Sequence, residues 1–405
     1  MLFRTLLNII VVLFFAITLY FSPKPLTKTI NFFENAAYDL QLKHDFQPIP
    51  KNLPIAIVDA DDKSIQSLGR WPWSRKTVAS ILDKLFEEGA SLVAFDVLFS
   101  EQESSSMDQL LADAIGKGSS VLGYVFVKNG QQVGELPTPL IKIPRNLSIL
   151  EAEGYTANLP LLQSRAKSAG FINATPDSDG VMRYSPMIIS FDDSIYSSLS
   201  LESVKTILGI DQIEFKTAKY GDEEVLEGIQ LGNQLIPTDP LGRVLIPFHG
   251  PPYTFQYYSA SDILSGTVGK AELANKLIFF GSSASALGDV VATPASPSFP
   301  KIEIHANIAA SILDGFFPIR PTWGRGFEIS HILIVGLICA FLLPHMGPVT
   351  ATIFAPAVTI LLIAANRWIW LKYQLYLPIL FPLFALYAQF LVSLITGLSS
   401  YKKQQ

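Results

Sequence analysis

The chain has 405 residues, 49% hydrophobic and only 16% charged, against about 25% charged in ordinary soluble domains, so it reads as a membrane protein carrying a large soluble portion. Its formal net charge of -5 and the absence of a basic run beyond Lys402 and Lys403 leave nucleic-acid binding without electrostatic support. A single cysteine, Cys339, excludes an intrachain disulfide and a cysteine metal cage.

The first apolar segment runs from Leu6 to Phe21 after Arg4, interrupted mainly by Asn8 and Thr18. The following LYFSPKP offers no small-x-small cleavage site, so residues 1–22 are expected to form an uncleaved anchor. Pro23 and Pro25 end that helix. Beyond them Leu26, Ile30, Phe33, Ala37 and Leu40 share one helical face, which is expected to pack along the soluble portion.

Ile55 to Val58 is short, continuous and β-branched, as in a strand buried on both faces, and Val93 to Phe95 repeats the pattern. Asp59 and Asp96 end the two runs. Between them Ser74 is placed to cap a helix carrying Val78, Ile81, Leu82, Leu85 and Phe86 at helical spacing, which Gly89 closes. Strand, helix and strand of this length predict a crossover in a parallel sheet, with both acids at the edge where open α/β sheets place ligands.

A further helix follows the ESSSMD loop, and Val121 to Val127 gives a third strand ended by Asn129-Gly130. Residues 131–168 read as an insertion with weak structure. Strands are expected at Phe171 to Asn173 and within Val181 to Phe191, then a helix from about Ser198 to Leu208. Residues 212–248 alternate, with turn signals at Tyr220-Gly221-Asp222, Gly232-Asn233 and Asp239-Pro240, and predict a β-rich meander. The sheet is expected to resume with a short helix capped at Ser261-Asp262, a buried strand at Lys276 to Phe280 and a helix from about His305.

Three apolar segments close the chain: Phe327 to Leu343, Val349 to Ala365 and Leu375 to Leu398. Their linkers are read as PHMGP and as NRWIWLKYQ, the latter carrying an interfacial belt of Trp368, Trp370 and Tyr373. One span plus three places both termini on one side, which Arg4, Lys402 and Lys403 assign to the cytoplasm. The spans read as nearly uncharged, with His331, Asn8 and Gln389 as their polar groups, which favours helices that pass a signal over an ion pathway. Gly336, Ala340, Ala351, Ala355 and Ala385 offer small surfaces for helix association, and a homodimer is expected.

A set of separated motifs in order carries a family resemblance. The WPW-x-R signature (Trp71, Pro72, Trp73, Arg75), FDVLF with Asp96, GFIN with DSDGVMR (Gly170 to Arg183), FFGSSASALGDVVATP (Phe279 to Pro294) and EIHAN (Glu303 to Asn307) resemble the type 2 CHASE domain, the cyclase/histidine-kinase-associated sensory extracellular module of bacteria. The resemblance implies an extracytoplasmic sensor, residues 23–325, followed by a three-helix membrane region, 326–399, and a short cytoplasmic tail, 400–405. It places the chain in the bacterial inner membrane. The effector domain usual in the family is missing, so the effector, a cyclase, kinase or phosphatase, is expected in cis in a longer protein or in trans. The fold class is thus an α/β sensor with a largely parallel sheet and a β-rich insertion, plus four transmembrane helices. The alternative is an assembly protein that uses the same fold to bind another envelope protein.

The chemistry expected of the site lies in acids. Asp59, Asp61, Asp96 and Asp289 converge on one sheet edge if their strands are neighbours, and with Arg75, Trp71, Trp73 and His305 they form the candidate ligand-binding set, the WPW tryptophans being read first as core or domain-seam packing and His305 as a packed or capping histidine. Asp59, Asp96 and Asp289 are the candidate ligands of a calcium or magnesium ion, set against a structural reading as caps and turns, with Arg75 and Arg183 neutralising two of the acids. DSDG at Asp177 to Gly180 starts like a calcium loop, but Ile188 occupies the twelfth position, which excludes an EF-hand. GSSAS at Gly281 to Ser285 lacks the last glycine of G-x-S-x-G, and His249, His305 and Asp289 are the only partners for a triad, so no catalytic residue is assigned.

Overall fold

The computed structural model describes residues 2–22, 24–50, 52–142, 147–221, 223–284 and 289–402. Asp222, Ser285 and Lys403, which the sequence reading placed in a turn, in the GSSAS motif and in the basic tail, lie outside the described residues. Two compact units are present, one formed by Met1–Asp45 with Pro318–Gln405, the other by Phe46–Phe317.

The chain opens with α1 (Leu2–Phe21) and α2 (Lys24–His44). The second unit begins with β1 (Ile55–Asp59), α3 (Asp62–Leu68), α4 (Arg75–Glu87), β2 (Leu92–Phe95), α5 (Ser105–Ile115) and β3 (Ser120–Val127). The region read as weakly structured holds only short elements, β4 (Gln132–Val133), β5 (Ile141–Lys142), β6 (Gly154–Thr156) and α6 (Pro160–Gln163). Next come β7 (Ser168–Phe171), β8 (Tyr184–Pro186), β9 (Ile188–Phe191), β10 (Ser194–Ser197) and α7 (Leu199–Leu208). The meander consists of β11 (Ile213–Tyr220), β12 (Glu223–Leu231) and β13 (Gln234–Pro237), followed by β14 (Arg243–Leu245). The unit closes with β15 (Tyr257–Ser259), α8 (Ala260–Leu264), α9 (Lys270–Leu273), β16 (Leu277–Gly281), β17 (Val290–Val291), β18 (Phe299–Pro300) and α10 (Lys301–Asp314). Then α11 (Gly324–Leu342), α12 (Pro348–Tyr373) and α13 (Leu380–Lys402) complete the first unit.

The central sheet has the order β15-β1-β16-β2-β3-β6-β4, with β7 also paired to β3. From β15 to β3, and at β7, every pairing is parallel, whereas β6 runs antiparallel to β3. The crossover from β1 to β2 is present as read, but β16 lies between the two strands. The helix of that crossover follows its local signals. The Ser74 side chain accepts from the Thr77 N–H, and Gly89, at φ +87°, takes the left-handed conformation that closes the helix. One sheet face buries Val58, Val93, Phe95, Ile278 and Phe280 against Val78, Ile81, Leu82 and Leu85 of α4 and Leu111, Ala112 and Ile115 of α5. The other face carries α7 and α10.

Among the described residues four helices, all in the first unit, are long and apolar enough to cross a membrane: Leu2–Phe21, Gly324–His345, Pro348–Tyr373 and Leu380–Gly397. Val12, Ala16 and Leu19 of α1 pack with Ile332 of α11 and with Phe381 and Ala385 of α13. The backbones approach closely at Gly336, where a Cβ would stand 2.8 Å from Val12 Cγ2. Asn8 Nδ2 donates to Ser393 Oγ at 2.9 Å and Gln389 Nε2 to the Gly336 carbonyl at 2.9 Å, so buried amides tie α1, α11 and α13 together.

Four sequence expectations change here. NRWIWLKY is helical and extends α12 to Tyr373, because it holds no breaker before Gln374, which ends the helix at φ +53°. The α2 helix belongs to the first unit, with the long apolar helices, and not to the second. Its Tyr38 packs edge-on against Trp370 and Tyr376, and its buried Glu34 accepts from Tyr376 Oη at 2.8 Å and from the Leu380 N–H at 3.0 Å. The spans are not free of charge, since Glu328 lies on α11 and is buried. The small residues Gly336, Ala340, Ala351, Ala355 and Ala385 are all buried within this chain's own helices, so they are not the surface a second copy would meet.

Candidate functional site

Register decides where the acids fall. Asp59, the last residue of β1, is paired with Gly281 of β16, and Phe280 is paired with Phe95 of β2, so Asp96 stands level with both. The Asp96 N–H donates to the Phe280 carbonyl at 2.8 Å. Residues at one level of a parallel sheet point to the same face, here the face covered by α10. A Cβ built on Gly281 would meet Ile302 of α10 at 2.9 Å and the Asp96 Cβ at 3.2 Å. Asp59 and Asp96 therefore flank Gly281 on one face, two strands apart, on the order of 10 Å between their Cα atoms.

Asp59 is 4% exposed. Its carboxylate accepts from the Ser283 N–H at 2.8 Å and from the Ser283 hydroxyl, and burial nevertheless pushes its pKa up to about 6, against the lowering effect of those bonds. Asp96 is half-buried, and desolvation likewise raises it to about 6, opposed by the positive charge of Lys301 at the start of α10. Asp289 is raised first by burial and second by the neighbouring Asp96, with Lys301 and a Ser282 hydrogen bond acting against this. Asp96, Asp289, Ser282 and Lys301 thus form one group and Asp59 with Ser283 another, joined by Gly281 to Ser283. Carboxyls that ionise near pH 6 both donate and accept hydrogen bonds in the physiological range. Among the described residues no group of three or more His, Cys, Asp or Glu is placed to share a metal ion.

The other sequence-selected residues fall elsewhere. Asp61 caps α3, accepting from the Ser64 N–H at 2.8 Å, and also accepts from the Ser259 hydroxyl. Trp73 is buried in the core beneath α4 and α5, donating to the Gly69 carbonyl at 3.0 Å, and Trp71 packs against it and against Phe280. Both tryptophans therefore lie on the sheet face opposite the acids. Arg75 pairs with buried Asp108 at 3.1 Å and lies over the Phe99 ring, and Arg183 pairs with Asp177 and Asp179. Neither arginine neutralises a strand-end acid. The DSDG segment is a turn held by Arg183, which is 3% exposed. His305 is stacked on Phe279 and bonded to Ser200 at 2.9 Å, and burial lowers its pKa to about 4. His249 bonds Ser311 and the Gln47 carbonyl, so neither histidine is hydrogen-bonded to a serine of the GSS segment.

One residue at this edge escaped the sequence reading. Glu303 of α10 is fully buried and accepts from the Tyr253 N–H at 2.7 Å, the Thr254 N–H at 2.9 Å and the Tyr257 hydroxyl at 2.9 Å. Its pKa is raised by burial in spite of these donors. The EIHAN motif marked its position, but its partners come from a loop 46–50 residues away in the chain.

A search against protein-family models matches the CHASE2 domain over residues 10–340. No curated protein and no solved structure matches the chain.

Proposed function

The chain belongs to the CHASE2 domain family, and we propose that it is the sensory and membrane part of a bacterial multi-pass receptor. In this reading the chain sits in the bacterial inner membrane, with residues 46–317 on its extracytoplasmic side and both termini in the cytoplasm. A signal met by the sensor alters how α1, α11 and α13 pack, and so the activity of a cytoplasmic effector, a cyclase, kinase or phosphatase, in cis or in trans. The chain itself performs no catalysis. One observation carries the reading: the family match spans the sensor and reaches into the membrane helices on both sides, so the sensor is an insertion between α2 and α11. A ligand shifts a two-state equilibrium by its differential affinity, and about 1.4 kcal/mol changes the ratio tenfold, which repacking of a few side chains supplies.

Homodimerisation belongs to the same reading and would use the outward faces of the helices, where Ile334, Ile338 and Phe341 of α11 are exposed. Reporter fusions test the topology: an alkaline phosphatase fused at Gly130 is expected to be active and one at Gln405 inactive. A phosphatase-active C-terminus refutes it. Single cysteines along α11 in a Cys339→Ser background are expected to crosslink with helical periodicity on the Ile334 and Ile338 face, and a flat pattern removes the dimer.

A further inference from the structure

The sensor holds a cavity of about 340 Å³ that lies away from the acids, at the carboxyl ends of β3 and β7. This volume is in the range of small-molecule sites, and the carboxyl edge of parallel strands is where such sites form. The cavity is assembled from five separate stretches: the end of β3 with Phe126 to Lys128, residues 150–152, the loop after β7, the β8–β9 segment, and Arg243 of β14. Its floor is apolar, with buried Phe126 and Ile189 and the ring of Tyr184.

Charge of both signs surrounds that floor. The Arg243 guanidinium lies 4.7 Å from the Tyr184 ring centroid, its Nε donates to Asp239 Oδ2 at 2.8 Å and its Nη2 stands 2.7 Å from the same oxygen. Among the described residues Nη1 has no protein hydrogen-bond partner, so a guanidinium fixed in place still offers donors. Lys128 and Glu151 stand exposed at the rim, and Asp177 contributes a carboxylate already held by Arg183 Nη1 at 3.1 Å. Two cations and two acids around an aromatic floor do not select an apolar ligand, which would desolvate them, nor an ion of one sign, which half of them would repel.

We propose that this cavity is the ligand site of the sensor and that it takes a small zwitterion with an apolar body, of the amino-acid or dipeptide class. The carboxylate is received by Arg243 and Lys128, the ammonium by Glu151 and Asp177, and the side chain lies on Phe126, Ile189 and Tyr184. The proposal rests on the sensor reading and names its ligand chemistry.

The test is calorimetric titration of the detergent-purified full chain with L-phenylalanine and with the dipeptide alanyl-phenylalanine. At least one is expected to bind, and the single-charge analogues 3-phenylpropionate and phenethylamine to bind at least tenfold more weakly. Arg243→Gln is expected to weaken binding at least tenfold. Because Arg243 also braces the Asp239 turn, Ala152→Leu serves as the second variant, filling the cavity without removing a hydrogen-bonding side chain, and is expected to abolish binding with the thermal transition retained. Absence of binding by both zwitterions, equal binding of either analogue, or undiminished binding in folded Ala152→Leu overturns the proposal while leaving the topology standing. Zwitterion binding that leaves the α11 crosslinking pattern unchanged supports the cavity and counts against the coupling of sensor to helices.

Discussion

Asp59→Asn isolates what burial of the strand-end acid costs. In the fold the Asp59 carboxyl ionises near pH 6, against an ordinary value of 3.8, because it is 4% exposed. Its folded pKa is raised, so its contribution to stability is fully present below pH 3.8 and is lost as pH rises through about 6. Summed over that interval, the ionised form costs about 3 kcal/mol at pH 7.5 and about 1 kcal/mol at pH 4.5, a change of about 2 kcal/mol. Asparagine keeps an oxygen for the Ser283 N–H and offers its amide to the Ser283 hydroxyl, so the substitution removes the ionisation while sparing the hydrogen bonds. The assay is thermal unfolding of the full chain and of Asp59→Asn in detergent at pH 4.5 and 7.5. Taking the difference between the two proteins cancels Asp96, Glu303 and the other carboxyls. The variant is expected to gain about 2 kcal/mol on the parent between the two pH values, roughly 4–6 °C in the sensor transition. A parallel pH response of the two proteins would refute the reasoning, since Asp59 would then ionise alike in the folded and unfolded chain.

Two other substitutions have clear outcomes. Glu303→Ala leaves the buried N–H groups of Tyr253 and Thr254 without their acceptor and is expected to destabilise the sensor by about 3–5 kcal/mol, read by denaturant unfolding, and an effect below about 1 kcal/mol would show that the loop finds other partners. Gly336→Leu drives a side chain into Val12 and is expected to cost about 1–3 kcal/mol in detergent melts; the milder Gly336→Ala should be rescued by Val12→Ala, and additive losses in that pair would contradict the contact.

Much of this protein is written in short-range pattern. The α4 helix follows from Ser74, the apolar spacing of Val78, Ile81, Leu82 and Leu85, and Gly89, all within one window, and the four spans follow from hydropathy over about 20 residues. The meander at β11 to β13 is signalled by alternation and the Gly232-Asn233 turn. The motif series is specific enough to point to the family without any strand assignment. Asp59 and Asp96 were legible as strand-end acids for the same local reason, an apolar β run that stops at a carboxylate.

What the tertiary structure decided is the company each residue keeps. No local signal says that β16, nearly two hundred residues later, inserts between β1 and β2, yet that insertion sets Asp59 and Asp96 two strands apart and places Ser283 against Asp59. The tryptophans of the WPW-x-R signature pack into the core beneath α4 and α5, and Arg75 pairs with Asp108 of α5, 33 residues away, so these partners lie on other elements and leave no local signal. Glu328 was visible as a letter, but only the packing of α11 shows it buried. The cavity is the clearest case. Phe126, Glu151, Asp177, Tyr184 and Arg243 come from distant parts of the chain, and a site made by long-range closure has no sequence period to betray it.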